Sequence, residues 1–383
     1  MAKQSWWHRV WHGLDPEPPP TDQGAPPIAR SPTFESAIAK APDEVESYAA
    51  YAEWLKERED PRGMLIALQA TCRSRIDEQH SNGVVRTLEP WRTLDGENAA
   101  VARDLVARFP IRLGGDPDPG EHVEWFCGYW RRLRLEIPVL EKATQSMQAR
   151  LEWVVNHESA RFLRTLSVGF PKHRDVVKQL PQLPATVQAL HLGAADYRGG
   201  DAGEFVFGPI TQGLSTRAPG VEHLVLQGGG VNLREQLDLP RLRSLELITQ
   251  HLPAKTLHAI ATSKLPVLDT LVLWLGKTSA EPHEIGALLA TPMPNLRELT
   301  LVHCENLDDV VAAIVDAPWL PSLRRLDLSS GGLTARGVML LERARGRLGL
   351  EQIDVTGNPL DDDATARVAS LVTRSAVELF PRG

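Results

Sequence analysis

Three places in this 383-residue chain bring together residue types that could do chemistry. His303 and Cys304 are adjacent, and both side chains can ligate a divalent metal. The stretch GDPDPGEH sets Asp116, Asp118 and Glu121 at a spacing faintly like that of a calcium loop. QGGGVN, residues 227–232, is glycine-rich after an apolar run, as phosphate-cradling loops are. Each falls short on physical grounds. Adjacent residues on a strand face opposite ways, so His303 and Cys304 do not naturally chelate one ion, and Cys304 reads as a turn residue. The prolines and missing ligands around Asp116 describe a solvated loop. QGGGVN has no lysine at phosphate-loop spacing and reads as a tight turn. No GxSxG, HExxH, GxxxxGK[ST] or GxGxxG string occurs. The expectation is a non-enzymatic protein without metal or cofactor. An enzyme would need a constellation that sequence order hides.

Composition narrows the partner. The formal charge of −7 argues against nucleic acid, whose binders usually carry a basic face. Three cysteines, Cys72, Cys127 and Cys304, with no CxxC pair, support neither a disulfide framework nor a zinc ribbon and suit a reducing cytoplasm. The first residues, MAKQSWWHRVWHGLDPEPPP, lack the apolar core of a signal peptide, and no window approaches the ~18 apolar residues of a membrane span.

The elements that would position any site fall into three segments. Residues 1–32 form a tryptophan-bearing tail and a proline-rich linker, DPEPPPTDQGAPPIARSP, suited to extended polyproline geometry. Residues 33–128 read as helical and end in a Gly/Pro-rich loop. From residue 129 to 383 the sequence repeats itself: LRTLSV from Leu163, VQALHL from Val187, VEHLVL from Val221, LRSLEL from Leu242, LDTLVL from Leu268, LRELTL from Leu296, LRRLDL from Leu323 and LEQIDV from Leu350. An earlier unit, WRRLRL from Trp130, also fits. In each, the fourth and sixth residues share one face of a short strand. Between the strands, LDDVVAAIVDAPWLPS (307–322) and LTARGVMLLERARGRLG (333–349) carry apolar residues at helical spacing.

The middle leucines Leu245, Leu271, Leu299 and Leu326 and then Ile353 recur at intervals of 26 to 28 residues. The pattern resembles leucine-rich repeats, whose period is 20 to 29. The resemblance implies an α/β solenoid, a horseshoe. At the family's asparagine/cysteine position stand Cys304 and Asn358, whereas Gly276 and Gly331 depart from it.

YAAYAEWLKEREDPRGMLIALQ, residues 48–69, raises a different question. Val45, Tyr48, Ala49, Ala52 and Leu55 line one helix face, Asp60 suits an N-cap and Pro61 the first position of a second helix. The string resembles the signature of the bacterial repeat-companion domain, close to YADWLEERGDPRGEFIRLQ. Tyr51, Ala52, Trp54, Leu55, Glu57, Arg58, Asp60, Pro61, Arg62, Gly63, Leu68 and Gln69 match. Glu59 stands where the family has glycine, and Met64 where it has an acid. The resemblance implies a small helical domain preceding repeats, with no catalytic activity. Trp54 is expected to pack and Arg62 to pair locally.

The outward positions of the repeat strands are where a partner would bind. Val225, Glu246, Ile248, Val272, Trp274, Val302, Asp327 and Asp354 are expected to give an apolar centre with an acidic flank on the concave face. In the tail, Trp6, Trp7 and Trp11 with Val10 and Leu14 make one apolar side of a helix about 14 Å long. That side suits docking on a partner protein. The alternative is a membrane-associated adaptor anchored at the lipid interface, disfavoured because only Lys3 and Arg9 are basic. A scaffold or recognition protein in signalling or defence is the resulting expectation.

Overall fold

The computed structural model describes residues 28–70, 94–109, 113, 121–136, 151–169, 180–193, 206–210, 213–233, 235–276 and 280–372. Trp6, Trp7, Trp11, Cys72, Asp116 and Asp118 lie outside them. The chain forms two compact units, Met1–Gly169 with Leu180–Gln188, and Phe170–Gln179 with Ala189–Gly383. The division thus falls some way beyond the 128/129 boundary that the repeat pattern suggested.

In the first unit, helices α1 (Pro32–Lys40), α2 (Val45–Lys56), α3 (Pro61–Ala70) and α4 (Gly96–Arg108) precede the strands β1 (Glu121–Phe126), β2 (Tyr129–Glu136) and β3 (Thr165–Gly169). Segment 33–128 is therefore not wholly helical. β1 pairs antiparallel with β2 through the two-residue turn Cys127-Gly128, with φ of 45° and 78°. Positive φ at both turn residues matches the right-handed strand twist. β2 pairs parallel with β3, setting Leu133 beside Leu166, so the WRRLRL segment is a strand in register.

The core of this unit is largely aromatic. Tyr48 of α2 meets Phe126 and Phe162 edge-on at 5.3 and 5.8 Å, and Tyr129 meets Phe162 at 4.7 Å. Edge-to-face pairs of this kind add about 0.5–1.5 kcal/mol beyond area burial. Trp54, partly buried, stacks on Tyr51 at 5.8 Å, with the Arg58 guanidinium 3.8 Å from its own ring centre.

The second unit carries β4 (Ala189–Gly193), β5 (Val206–Ile210), β6 (His223–Leu233), β7 (Ser244–His251), β8 (Thr270–Trp274), β9 (Glu298–Val302), β10 (Arg325–Asp327) and β11 (Gln352–Asp354). QGGGVN lies inside β6 rather than in a turn, because Gly228 and Gly230 pair with Thr249 and His251 of β7. Between and after the strands come α5 (Leu214–Arg217), α6 (Ala254–Ala261), α7 (Pro282–Leu289), α8 (Leu307–Asp316), α9 (Ala335–Arg343) and α10 (Asp362–Ala369). From α6 to α10, each helix neighbours the next.

From β6 to β11 the strands run parallel in sequence order, each shifted so that the same repeat position meets its counterpart: Leu224, Leu245, Leu271, Leu299, Leu326 and Ile353 form one row. The leucines of this row are at most 1% exposed. Helix residues at three- and four-residue spacing fill the other side of the core, such as Leu307, Val310, Val311 and Ile314 of α8.

The turns after the strands are satisfied in different ways. Asn358 donates to the carbonyls of Leu328 and Val355, both at 2.8 Å, and accepts from the Leu333 amide at 2.9 Å. Gly276 has φ 56°, and a Cβ there would sit 2.2 Å from the Gln250 carbonyl oxygen. At that departure from the family pattern, close backbone approach replaces the side-chain bond.

Candidate partner-binding face

Alternation along each short strand gives the sheet of the second unit two faces. One holds the buried leucines. Pairing across strands arranges the other into rows. The central row runs His191, Val225, Glu246, Val272, Thr300, Asp327 and Asp354. A second row holds Gln227 beside Ile248 and Trp274 beside Val302. A third, two residues earlier along each strand, holds His223, Ser244, Thr270, Glu298, Arg325 and Gln352.

Val225, Glu246, Ile248, Val272, Trp274, Asp327 and Asp354 are all half-buried, neither enclosed in the core nor freely solvated. Val302, in register beside Trp274, is different: at 1% exposure it is covered rather than open. Its strand ends there, and the chain turns at once through His303, whose φ is 59°. That turn also brings the exposed His303 ring edge-on to Trp274, 5.5 Å between centres. Cys304 points the other way and is buried, its thiol pushed up to about 11 by loss of solvation. The two side chains thus diverge.

Charge on the face is unevenly compensated. Burial raises the Glu246 carboxyl above its ordinary value, against the opposing effects of a hydrogen bond to Ser244 and the nearby His223. Glu298 and Arg325 form an exposed pair at 2.9 Å in the third row. Asp327 accepts from the Ser329 amide at 2.9 Å, and Asp354 from the Thr356 amide at 2.8 Å, so each carboxylate shapes its own turn. The two are also direct cross-strand neighbours, and like charges side by side cost stability.

The third row was missed in the sequence, although the same two-residue alternation would have produced it. Ser244 shows why it matters: it is 6% exposed and holds the carboxylate of the central row.

The Asp-Pro-Arg-Gly corner of the first unit is a different kind of polar cluster. Helix α2 ends with Glu59 at φ 57°, and the Asp60 amide reaches back to the Leu55 carbonyl at 3.0 Å. Glu59 therefore takes the left-handed C-terminal position usually given to glycine. Asp60 accepts from the Arg62 amide at 3.0 Å and opens α3. Arg62 is 4% exposed. Its guanidinium donates to the Gly128 carbonyl and to Ser159 Oγ (3.2 Å), lies 4.7 Å from the Tyr129 ring centre and is attracted by the nearby Asp60 carboxylate. Gln69 accepts from the Gly128 amide, so both polar groups of that turn residue are held. The contacts of Arg62 and Gln69 with Gly128, Tyr129 and Ser159 join separate secondary-structure elements, which is a structural role.

No family model matches the chain, and no curated protein does. Among solved structures, it is similar to a crystal structure of a Bacteroides fragilis protein, with a TM-score of 0.52 at 20% identity over 62% of this chain and 71% of that one. The likeness bears on the fold: a mixed α/β chain with a long strand sheet. Among the described residues, no helix is long and apolar enough to cross a membrane.

Proposed function

We propose that this chain is a non-enzymatic recognition protein of the cytoplasm, in which a repeat-companion unit precedes a leucine-rich-repeat solenoid that binds another protein through its open sheet face. The observation that carries this reading is the grouping of Val225, Ile248, Val272 and Trp274 on the neighbouring strands β6, β7 and β8, all half-buried on the side opposite the leucine core. Apolar side chains gathered beside an aromatic are where binding energy concentrates, ~2 kcal/mol or more for a central tryptophan. The repeat period and the matches from Tyr51 to Gln69 support the two family readings.

The test is affinity capture with mass spectrometry, comparing the full chain with Trp274→Ala and with a chain lacking residues 1–32. A protein lost on Trp274→Ala supports the open face. A partner set unchanged by that substitution sinks the proposal. The second reading, a membrane-associated adaptor, rests on the clustering of Trp6, Trp7 and Trp11 and predicts liposome binding that disappears when residues 1–14 are removed.

A further inference from the structure

The open face has a charge pattern with a measurable pitch. Along the central row, Glu246 on β7 is followed by Val272 on β8, Thr300 on β9, Asp327 on β10 and Asp354 on β11. Neighbouring strands lie about 4.8 Å apart, which places Asp327 roughly 14 Å and Asp354 roughly 19 Å from Glu246. An extended chain laid across the strands advances about 3.4 Å per residue, so those spans correspond to about four and six residues. The acids sit at the two ends of this interval. Val272 lies between them, and Ile248 and Trp274 flank it in the next row. The one arginine of the third row, Arg325, is already paired with Glu298 at 2.9 Å.

Resting on the protein-binding reading above, we infer that the occupant is an extended, cationic segment of another protein, with two Lys or Arg residues four to six positions apart and an apolar residue between them. One cation would sit over Glu246 and the other beside Asp327 and Asp354, which are direct cross-strand neighbours and together present two carboxylates. The apolar residue would cover Val272 and Trp274. Charge complementarity sets orientation, since the apolar centre lies nearer the single acid than the paired ones, and the apolar contact supplies most of the affinity.

The test is panning of a phage-displayed library of random 12-residue peptides on the full chain. Recovered peptides are then measured on Trp274→Ala and on the triple variant Glu246→Gln, Asp327→Asn, Asp354→Asn. The asparagines keep the acceptors that the Ser329 and Thr356 amides need, and thermal melts check that both variants fold. The expected result is enrichment of basic pairs at the stated spacing, with affinity falling at least tenfold on the triple variant and also with added salt. No enrichment, enrichment without basic pairs, or indifference to the triple variant would overturn the inference. Peptides lost on Trp274→Ala but indifferent to the triple variant would remove only the cationic requirement, leaving the protein-binding face. Indifference to both would remove both readings. Binding that emerges only when residues 1–32 are deleted would make the chain's own tail the occupant, and a dimer that dissociates in the triple variant would make it a second copy; either outcome overturns a separate partner.

Discussion

Glu35 and Glu246 are both half-buried carboxylates, one in each compact unit, and their surroundings treat them in opposite ways. Burial alone would raise Glu35. It is outweighed by the Arg30 guanidinium, which donates twice at 3.1 Å, and by Arg161, so the carboxyl is held below its ordinary value. Tyr51 donates to the same carboxylate at 3.1 Å. Glu246 has a serine and a nearby histidine but no guanidinium hydrogen bond of this kind, and burial keeps its carboxyl raised. A charge that is fully answered inside the chain is a fastener. A charge left under-compensated on a half-exposed face is suited to a ligand, at some cost in stability. The first unit is built in the former way around Arg62 and Glu35, and the second exposes the latter on its sheet.

The sharpest way to break this contrast is to remove the fastener. Arg62→Met leaves the Gly128 carbonyl, Ser159 and buried Asp60 without their cation, and is expected to destabilise the first unit by about 3–5 kcal/mol. Calorimetry should show an early transition; a melt like that of the wild type would mean the cluster is dispensable. Trp274→Ala reverses the pattern. Partner affinity is expected to fall by ~2 kcal/mol or more, while the thermal midpoint moves little, because a half-exposed side chain leaves no core cavity. A large loss of stability would place Trp274 in the fold rather than the face.

The two carboxylates give smaller effects of opposite sign. With a folded value below 4.5, Glu35 contributes stability above that pH and loses it as pH falls toward the depressed value. Glu35→Gln is therefore expected to cost stability at neutral pH and to converge with the wild type in acid. Glu246, raised above 4.5, behaves inversely: its protonated form is favoured in the folded state, and stability is lost as pH rises past the raised value. Glu246→Gln is expected to raise the neutral-pH midpoint slightly, the least of the four effects, with the gain fading on acidification. Parallel pH profiles for the two variants would erase the distinction between the units.

What could be read in the sequence followed from local periodicity. A two-residue alternation is enough to assign Leu245, Leu271 and Leu299 to the core and Glu246 and Val272 to the other face, whatever the rest of the chain does. It places Val302 in register with Trp274 but does not show that Val302 is covered there, since alternation gives the side of a residue and not its neighbours. The β1–β2 hairpin escaped notice because Cys127-Gly128 sits within the apolar run WFCGYW, with no Asn-Gly or Asp-Gly to announce the turn. Three consecutive glycines concealed the continuation of β6, which its pairing with β7 enforces. Arg62 was legible as a corner residue and illegible as a long-range clasp, since its partners lie 66 and 97 residues downstream.

That reach has a consequence for how the protein is made. Helices α2 and α3 leave the ribosome well before Gly128 and Ser159 exist to receive the Arg62 guanidinium. At 5–20 residues per second, the 97-residue interval to Ser159 corresponds to about 5–20 seconds in which the nascent helical pair holds an unanswered cation. A chain stopped at residue 128 should remain a protease-sensitive helical pair, whereas one continued through residue 188 contains Tyr129 and Ser159 as well as Gly128. Translation thus acts as a timer, delaying closure of the first unit until the polypeptide has entered its own repeats.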